Sequence, residues 1–223
     1  MEKAIFYKEW IKMRSLLPVM SLALIGITIY ALLRIDRAVT LNGAAHLWQI
    51  MLDKEVVFIE ILRFVPLIAG LLLSLAQFLP EMMHKRLKLT LHLPYPRHRM
   101  ILLMAAIGLG LLIVLFALQG VLLWGYLHRL LAPELTAHAL LTALPWWLAG
   151  LTLYLLCAWI CMEPTRYLRG IYIVMALGLC RMFYLSDVPR SYDGMLPWLA
   201  VLLAGLFFLP LLSMHRFKEG CQD

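Results

Sequence analysis

Apolar runs long enough to cross a bilayer alternate with short polar stretches along this chain. About 18 apolar residues in succession make a membrane-helix candidate. The pattern predicts six spans, at residues 16–33, 57–79, 100–127, 139–162, 167–185 and 195–214. The third is long enough to tilt or protrude. The fifth has a clean apolar core only at 170–180, and its Arg169 and Arg181 must snorkel toward opposite interfaces. No Ser/Gly-rich linker, low-complexity tract or internal repeat divides the chain. It reads as one all-α integral membrane domain over residues 1–223.

Composition strengthens that reading. Of 223 residues 63% are hydrophobic, and mean hydropathy is +0.85. Soluble domains are about half apolar, and a soluble core of this size could not hide so much Leu, Ile and Val. The first apolar run starts at Leu16, after a charged segment and without a clean small-x-small cleavage site, so the first span is expected to stay as an anchor. The net charge is +7, and its placement matters more than its size. With the N-terminus in the cytoplasm, 13 of the 20 Lys and Arg fall inside and 6 outside, and Arg63 lies within a span. That split fits the positive-inside rule and an even number of spans, with both termini cytoplasmic. Nucleic-acid binding does not fit, because the cations are divided among short loops.

The N-terminal stretch 2–15 reads EKAIFYKEWIKMRS. Ile5, Phe6, Trp10 and Met13 recur at helical spacing, among Lys3, Lys8, Lys12 and Arg14. Basic residues beside aromatic ones suit an amphipathic helix in the membrane interface. The plainer alternative is a charged flank that orients the first span.

Residues 80–99, PEMMHKRLKLTLHLPYPRHR, interrupt two apolar runs. Pro80 is expected to end or kink the second span. From Glu81 to about Leu93 a short helix is predicted, with Leu87 and Leu91 on one face and Lys85, Arg86 and Lys88 mostly elsewhere. Pro94 and Pro96 stop it. Arg97, His98 and Arg99 then meet the third span. A loop that only set topology would need the cations, but not the leucine spacing.

Other polar residues carry two readings each. Glu60 and Arg63, near the outer end of span two, form either a surface ion pair or a polar contact on a transport path. Cys157 and Cys161 share one helix face, where packing competes with metal binding or oxidation. His84, His92 and His98 do not share a helix face and read as interfacial residues. Glu163, Pro164 and Arg166 make the second cytoplasmic turn, either a minor partner contact or a helix end. No H-E-x-x-H or G-x-S-x-G motif and no Asp cluster suggests an intramembrane enzyme, and no G-x-x-x-x-G-K-[ST] phosphate loop is present.

The combination resembles the membrane subunits of bacterial ABC exporters of the second type. Those permeases have about six spans, an N-terminal interface helix with a Lys-Glu flavour, and a cytoplasmic coupling helix between spans two and three. Lys8, Glu9 and Arg14 match the first segment loosely. Glu81, Leu87, Leu89, Leu91, Leu93, Pro94, Arg97 and Arg99 fall in the order of the second. The usual run of acids and a Gly-Thr are replaced by MMHKRLK, and the stretch 186–194 is short. The resemblance implies a multi-pass permease of the bacterial cytoplasmic membrane that does not hydrolyse ATP. Two such units, identical or related, would pair with two cytoplasmic ATPase subunits, which bind the ATP and Mg. Glu81, Leu87, Leu91, Pro94, Arg97 and Arg99 would contact the ATPase, and Glu60 and Arg63 would lie on the substrate path. Two alternatives share this architecture: a non-transporting membrane scaffold or accessory subunit, and a haem-export or metal-centre-maturation permease. Apolar walls fit lipids, peptides, drugs or lipid-linked glycans equally.

Overall fold

The computed structural model describes residues 2–42, 59–83, 96–130, 132–186, 188 and 190–218. These residues form helices, with no strand among them. In chain order they are α1 (Glu2–Met13), α2 (Leu16–Asn42), a 3₁₀ turn (Glu60–Leu62), α3 (Val65–Met83), α4 (Arg97–Leu130), α5 (Pro133–Met162), α6 (Arg166–Met182), α7 (Leu196–Leu206) and α8 (Leu209–Lys218). Of the expected coupling helix, Glu81–Met83 belong to the end of α3, and the rest, with Leu87, Leu91 and Pro94, lies outside the described residues, as do His84 and His92.

Five stretches among the described residues are long and apolar enough to cross a membrane: Leu16–Leu41, Glu60–Met83, His98–Leu130, Pro133–Met162 and Leu196–Met214. The chain is therefore a multi-pass membrane protein by length and composition. The fifth expected span differs. It is the 17-residue helix α6, which carries Arg169 and Arg181 and falls short in length. Of the two expectations for Pro80, the helix end is not met: α3 continues through it to Met83. The extra turn matters, because it keeps Glu81 on the face of Gln77, four residues earlier.

The centre of the bundle is the pair α3 and α5. Gly70 and Gly150 let their backbones touch. A Cβ on Gly70 would lie 2.0 Å from the Gly150 carbonyl oxygen, and one on Gly150 would lie 2.4 Å from that of Pro66. Small residues at a helix contact are how membrane helices approach closely, where apolar burial gives little net drive. Gly70 faces Gly150, while Gln77 and Phe78 face Tyr154. Rising number meets rising number, so the two helices run parallel.

The neighbours run the other way. On α4, Gln119 meets Trp147 and Ala105 meets Tyr154, so α4 is antiparallel to α5. On α6, Tyr172 stacks on Trp159 with ring centroids 3.9 Å apart, and Arg169 donates to the Glu163 carbonyl oxygen at 2.7 Å. So α6 leaves the Glu163 end of α5. It finishes at Met182, two residues before Tyr184, which meets Arg63 at the opposite end of α3. The α7–α8 stretch then returns, since Leu199 packs in the cluster of Phe183 and Tyr192 while Ser213 reaches Glu163. Polar groups thus gather in two layers. One holds Glu9, Glu81 and Glu163, and the other holds Arg63, Tyr184 and Arg190.

Candidate functional site

The Glu81 layer is built on α1. Phe6, Tyr7, Trp10 and Ile11 are exposed, whereas Glu9 and Met13 are fully buried and Lys12 nearly so. The face turned to the protein carries Lys8, Glu9 and Lys12, whereas Lys3 and Arg14 are exposed. The Lys12 Nζ donates to Glu9 Oε1 at 2.7 Å and also to Glu81 Oε1. The Lys8 Nζ lies 2.9 Å from Glu81 Oε1. Two lysines balance two carboxylates, and charge-assisted pairs of this kind are the strong ones.

The network continues inward. Gln77 Nε2 donates to Glu9 Oε2 at 2.9 Å and to the Met104 carbonyl oxygen at 2.8 Å. Its Oε1 accepts from the Tyr154 hydroxyl at 2.6 Å. One amide side chain therefore joins α1, α3, α4 and α5. Gly108 makes the room, because a Cβ there would sit 2.1 Å from the Tyr154 hydroxyl and 2.3 Å from Gln77 Oε1. Removing one member of such a buried network strands the others, which raises its cost above that of a surface pair.

A third carboxylate stands in the same layer. Glu163, fully buried, accepts from Ser213 Oγ at 2.5 Å, and Arg216 lies 4.0 Å from its other oxygen. Arg216 also donates to the Tyr172 hydroxyl at 2.7 Å. So α1 and α8, near the two ends of the chain, are fastened to the α3–α5 pair at one end of the bundle.

The sequence-derived site residues fall into three groups. Glu81 is buried and turned toward α1. Arg97 and Arg99 open α4, and Arg99 is exposed. Glu60 and Arg63 lie at the far end, where both line a cavity. Cys157 is buried and Cys161 half-buried. Sequence reasoning did not single out Gln77 or Tyr154. The available signal was an amide inside an apolar run, since polar side chains within spans lean functional.

No family model matches the chain, and neither does any curated protein or solved structure.

Proposed function

We propose that the chain is the permease subunit of an ATP-driven exporter of the second ABC type, in a bacterial cytoplasmic membrane, with its ATPase on separate polypeptides. The observation that carries this reading is the charged tie between α1 and the end of α3. Glu81 sits immediately before the basic, leucine-spaced stretch 84–95. A push on that stretch by a partner would act on α3 through its last turn. Glu81 would pass the motion to α1, and Gln77 to α4 and α5. Transport needs such a link, because ATPase state must bias the arrangement of the spans. In this reading Glu81 is a positioning residue behind the coupling stretch, and Leu87 and Leu91 are the residues that dock.

Six crossings belong to the same proposal. At 1.5 Å per residue α6 is about 25 Å long, against about 30 Å of hydrocarbon. Arg169 and Arg181 near its ends offset the difference by snorkelling. Its run from the Glu163 layer to the Arg63 layer supports a sixth crossing, which leaves both chain ends on the Glu81 side. One such unit has too little wall to enclose a path, so a permease dimer or a related second subunit completes it.

The test is assembly and coupling. An ABC ATPase subunit should co-purify, and the permease should stimulate its ATP hydrolysis. Leu87→Ala with Leu91→Ala should weaken both more than Lys85→Ala with Lys88→Ala. Loss of a buried Leu costs roughly 2–5 kcal/mol, and loss of an exposed cation about 0–1 kcal/mol. A purified, functional chain that binds no ATPase would leave the scaffold reading instead. Cysteine labelling that puts the two chain ends on opposite sides would remove the sixth crossing.

A further inference from the structure

At the Arg63 end a cavity of about 140 Å³ opens between the start of α3, the first half of α5 and the segment joining α6 to α7. Sites for drug-sized ligands run about 300–1,000 Å³, so this one suits a much smaller group. Glu60 and Arg63 form one wall, Thr142 and Trp146 another, and Ser186 and Arg190 a third.

The walls are braced. The Tyr192 hydroxyl accepts from the backbone N–H of Leu185 at 2.8 Å and of Ser186 at 3.2 Å, and donates to the Met182 carbonyl oxygen at 3.0 Å. Arg63 donates to the Tyr184 carbonyl oxygen at 3.4 Å, and the Tyr184 hydroxyl donates back to that of Arg63 at 3.1 Å. Arg190 has φ of 61°, the left-handed region that residues with a Cβ rarely adopt. Such conformations persist where the surroundings over-determine them, and they cluster at functional sites. The Arg190 guanidinium is aimed by Asp193 at 2.6 Å and lies 3.3 Å from His138 Nε2.

Charge narrows the ligand. Among the described residues the charged side chains that line it are Glu60, Arg63 and Arg190, and Asp193 pairs with Arg190. A simple anion would meet the Glu60 carboxylate, and a simple cation would meet two guanidiniums. A ligand that carries both signs satisfies both. Guanidiniums favour phosphate, and a carboxylate beside an indole favours ammonium. The cavity also lies in a layer of helix ends, at the depth of lipid headgroups.

We propose that this cavity binds a zwitterionic ammonium-phosphate headgroup, with phosphate against Arg63 and Arg190 and ammonium toward Glu60 and Trp146. The inference deepens the export reading by giving its path a substrate class. It rests on that reading for the purpose of binding, not for binding itself. The source is either a phospholipid or free phosphoethanolamine.

The experiment uses the purified full chain without an ATPase. Native mass spectrometry counts lipid retained from phosphatidylethanolamine and from phosphatidylglycerol. Wild type should prefer phosphatidylethanolamine about tenfold, as one added charge-assisted contact allows. Glu60→Gln should erase most of that preference and leave phosphatidylglycerol within about twofold. Arg190→Gln should lower retention of both lipids. Arg63 is left in place, because it also ties α3 to Tyr184. Displacement by free phosphoethanolamine would confirm the site with a soluble source, and binding without displacement would confirm it with a lipid source. Equal retention of the two lipids, or a preference unchanged in both variants, overturns the proposal. If the preference holds while no ATPase ever associates, only the export reading fails. If an ATPase couples normally and no preference exists, only the substrate class fails.

Discussion

The two ends of this bundle handle charge in opposite ways. At the Glu81 end, carboxylates are buried, paired, and shared among four helices. At the Arg63 end, Glu60, Arg63 and Arg190 line open space, and Arg190 is held by Asp193 and His138 on a partly exposed segment. The first arrangement makes a joint, because displacing one partner strands a charge. The second makes a surface on which a further partner can be exchanged. In the proposed export reading the chain would need both, at opposite ends of the same helices.

The largest expected effect lies at the joint. Glu81→Ala leaves Lys8 and Lys12 with one carboxylate between them. Breaking a buried pair by removing one partner costs about 3–5 kcal/mol. Unfolding in detergent, followed by a folding-sensitive probe, should show that loss. Lys12→Ala with Glu81→Ala should lose less than the two single variants summed, because their contacts are shared. Strict additivity would mean that α1 is not fastened through this pair.

Next comes the helix contact that sets the distance between the ends. Gly150→Ala drives a methyl group into the Pro66 backbone, which cannot move like a side chain. Overpacking of this kind costs about 1–3 kcal/mol. Gly26→Ala is the control, since nothing lies within 4 Å of a Cβ there, and its stability should stay within about 0.5 kcal/mol of wild type. If the two variants behave alike, the close α3–α5 approach is wrong.

Between the two ends sits a neutral pin. Gln119 donates to Thr28 Oγ1 at 3.2 Å and accepts from Trp147 Nε1 at 3.0 Å, which joins α2, α4 and α5. Hydrogen bonds between membrane helices average about 0.6 kcal/mol and reach about 1.7. Gln119→Leu should therefore cost about 1 kcal/mol in the same unfolding assay. A loss as large as that of Glu81→Ala would remove the distinction between a charged joint and an uncharged pin.

How much of this could be read beforehand follows from how far each signal travels along the chain. Apolar runs are local, so the spans at residues 57–79, 100–127 and 139–162 anticipated α3, α4 and α5 closely. Glu60 and Arg63 are three residues apart, and their place near one end of α3 was legible too. The joint was not. Lys12 and Glu81 are separated by 69 residues, and no local pattern marks that pairing. The helical spacing of α1 was legible, but nothing in it marked Lys8, Glu9 and Lys12 as the residues that turn toward the protein. Pro80 read as an end or a kink because Pro lacks an N–H, and the helix continues through it and so delivers Glu81 to α1. The glycines carry meaning only once their neighbours are known, since Gly26 and Gly150 look alike in an apolar run.

The smallest stability effect should fall at the open end, and it tests the comparison most sharply. Arg190 pairs with Asp193 on a partly exposed segment, and such pairs contribute about 0–1 kcal/mol. Arg190→Gln should therefore leave the unfolding transition nearly unchanged while it lowers phospholipid retention. Glu81→Ala should do the reverse, with a large loss of stability and lipid retention preserved in the fraction that stays folded. That double dissociation follows from where each charge finds its partners. Glu81 finds both of its lysine partners within the protein, so its removal is felt in folding. Arg190 faces space that the protein does not fill, so its removal is felt in what fills it. If Arg190→Gln unfolds the chain as Glu81→Ala does, the left-handed turn at Arg190 is a structural clasp, and the cavity beside it is only the gap that the clasp leaves.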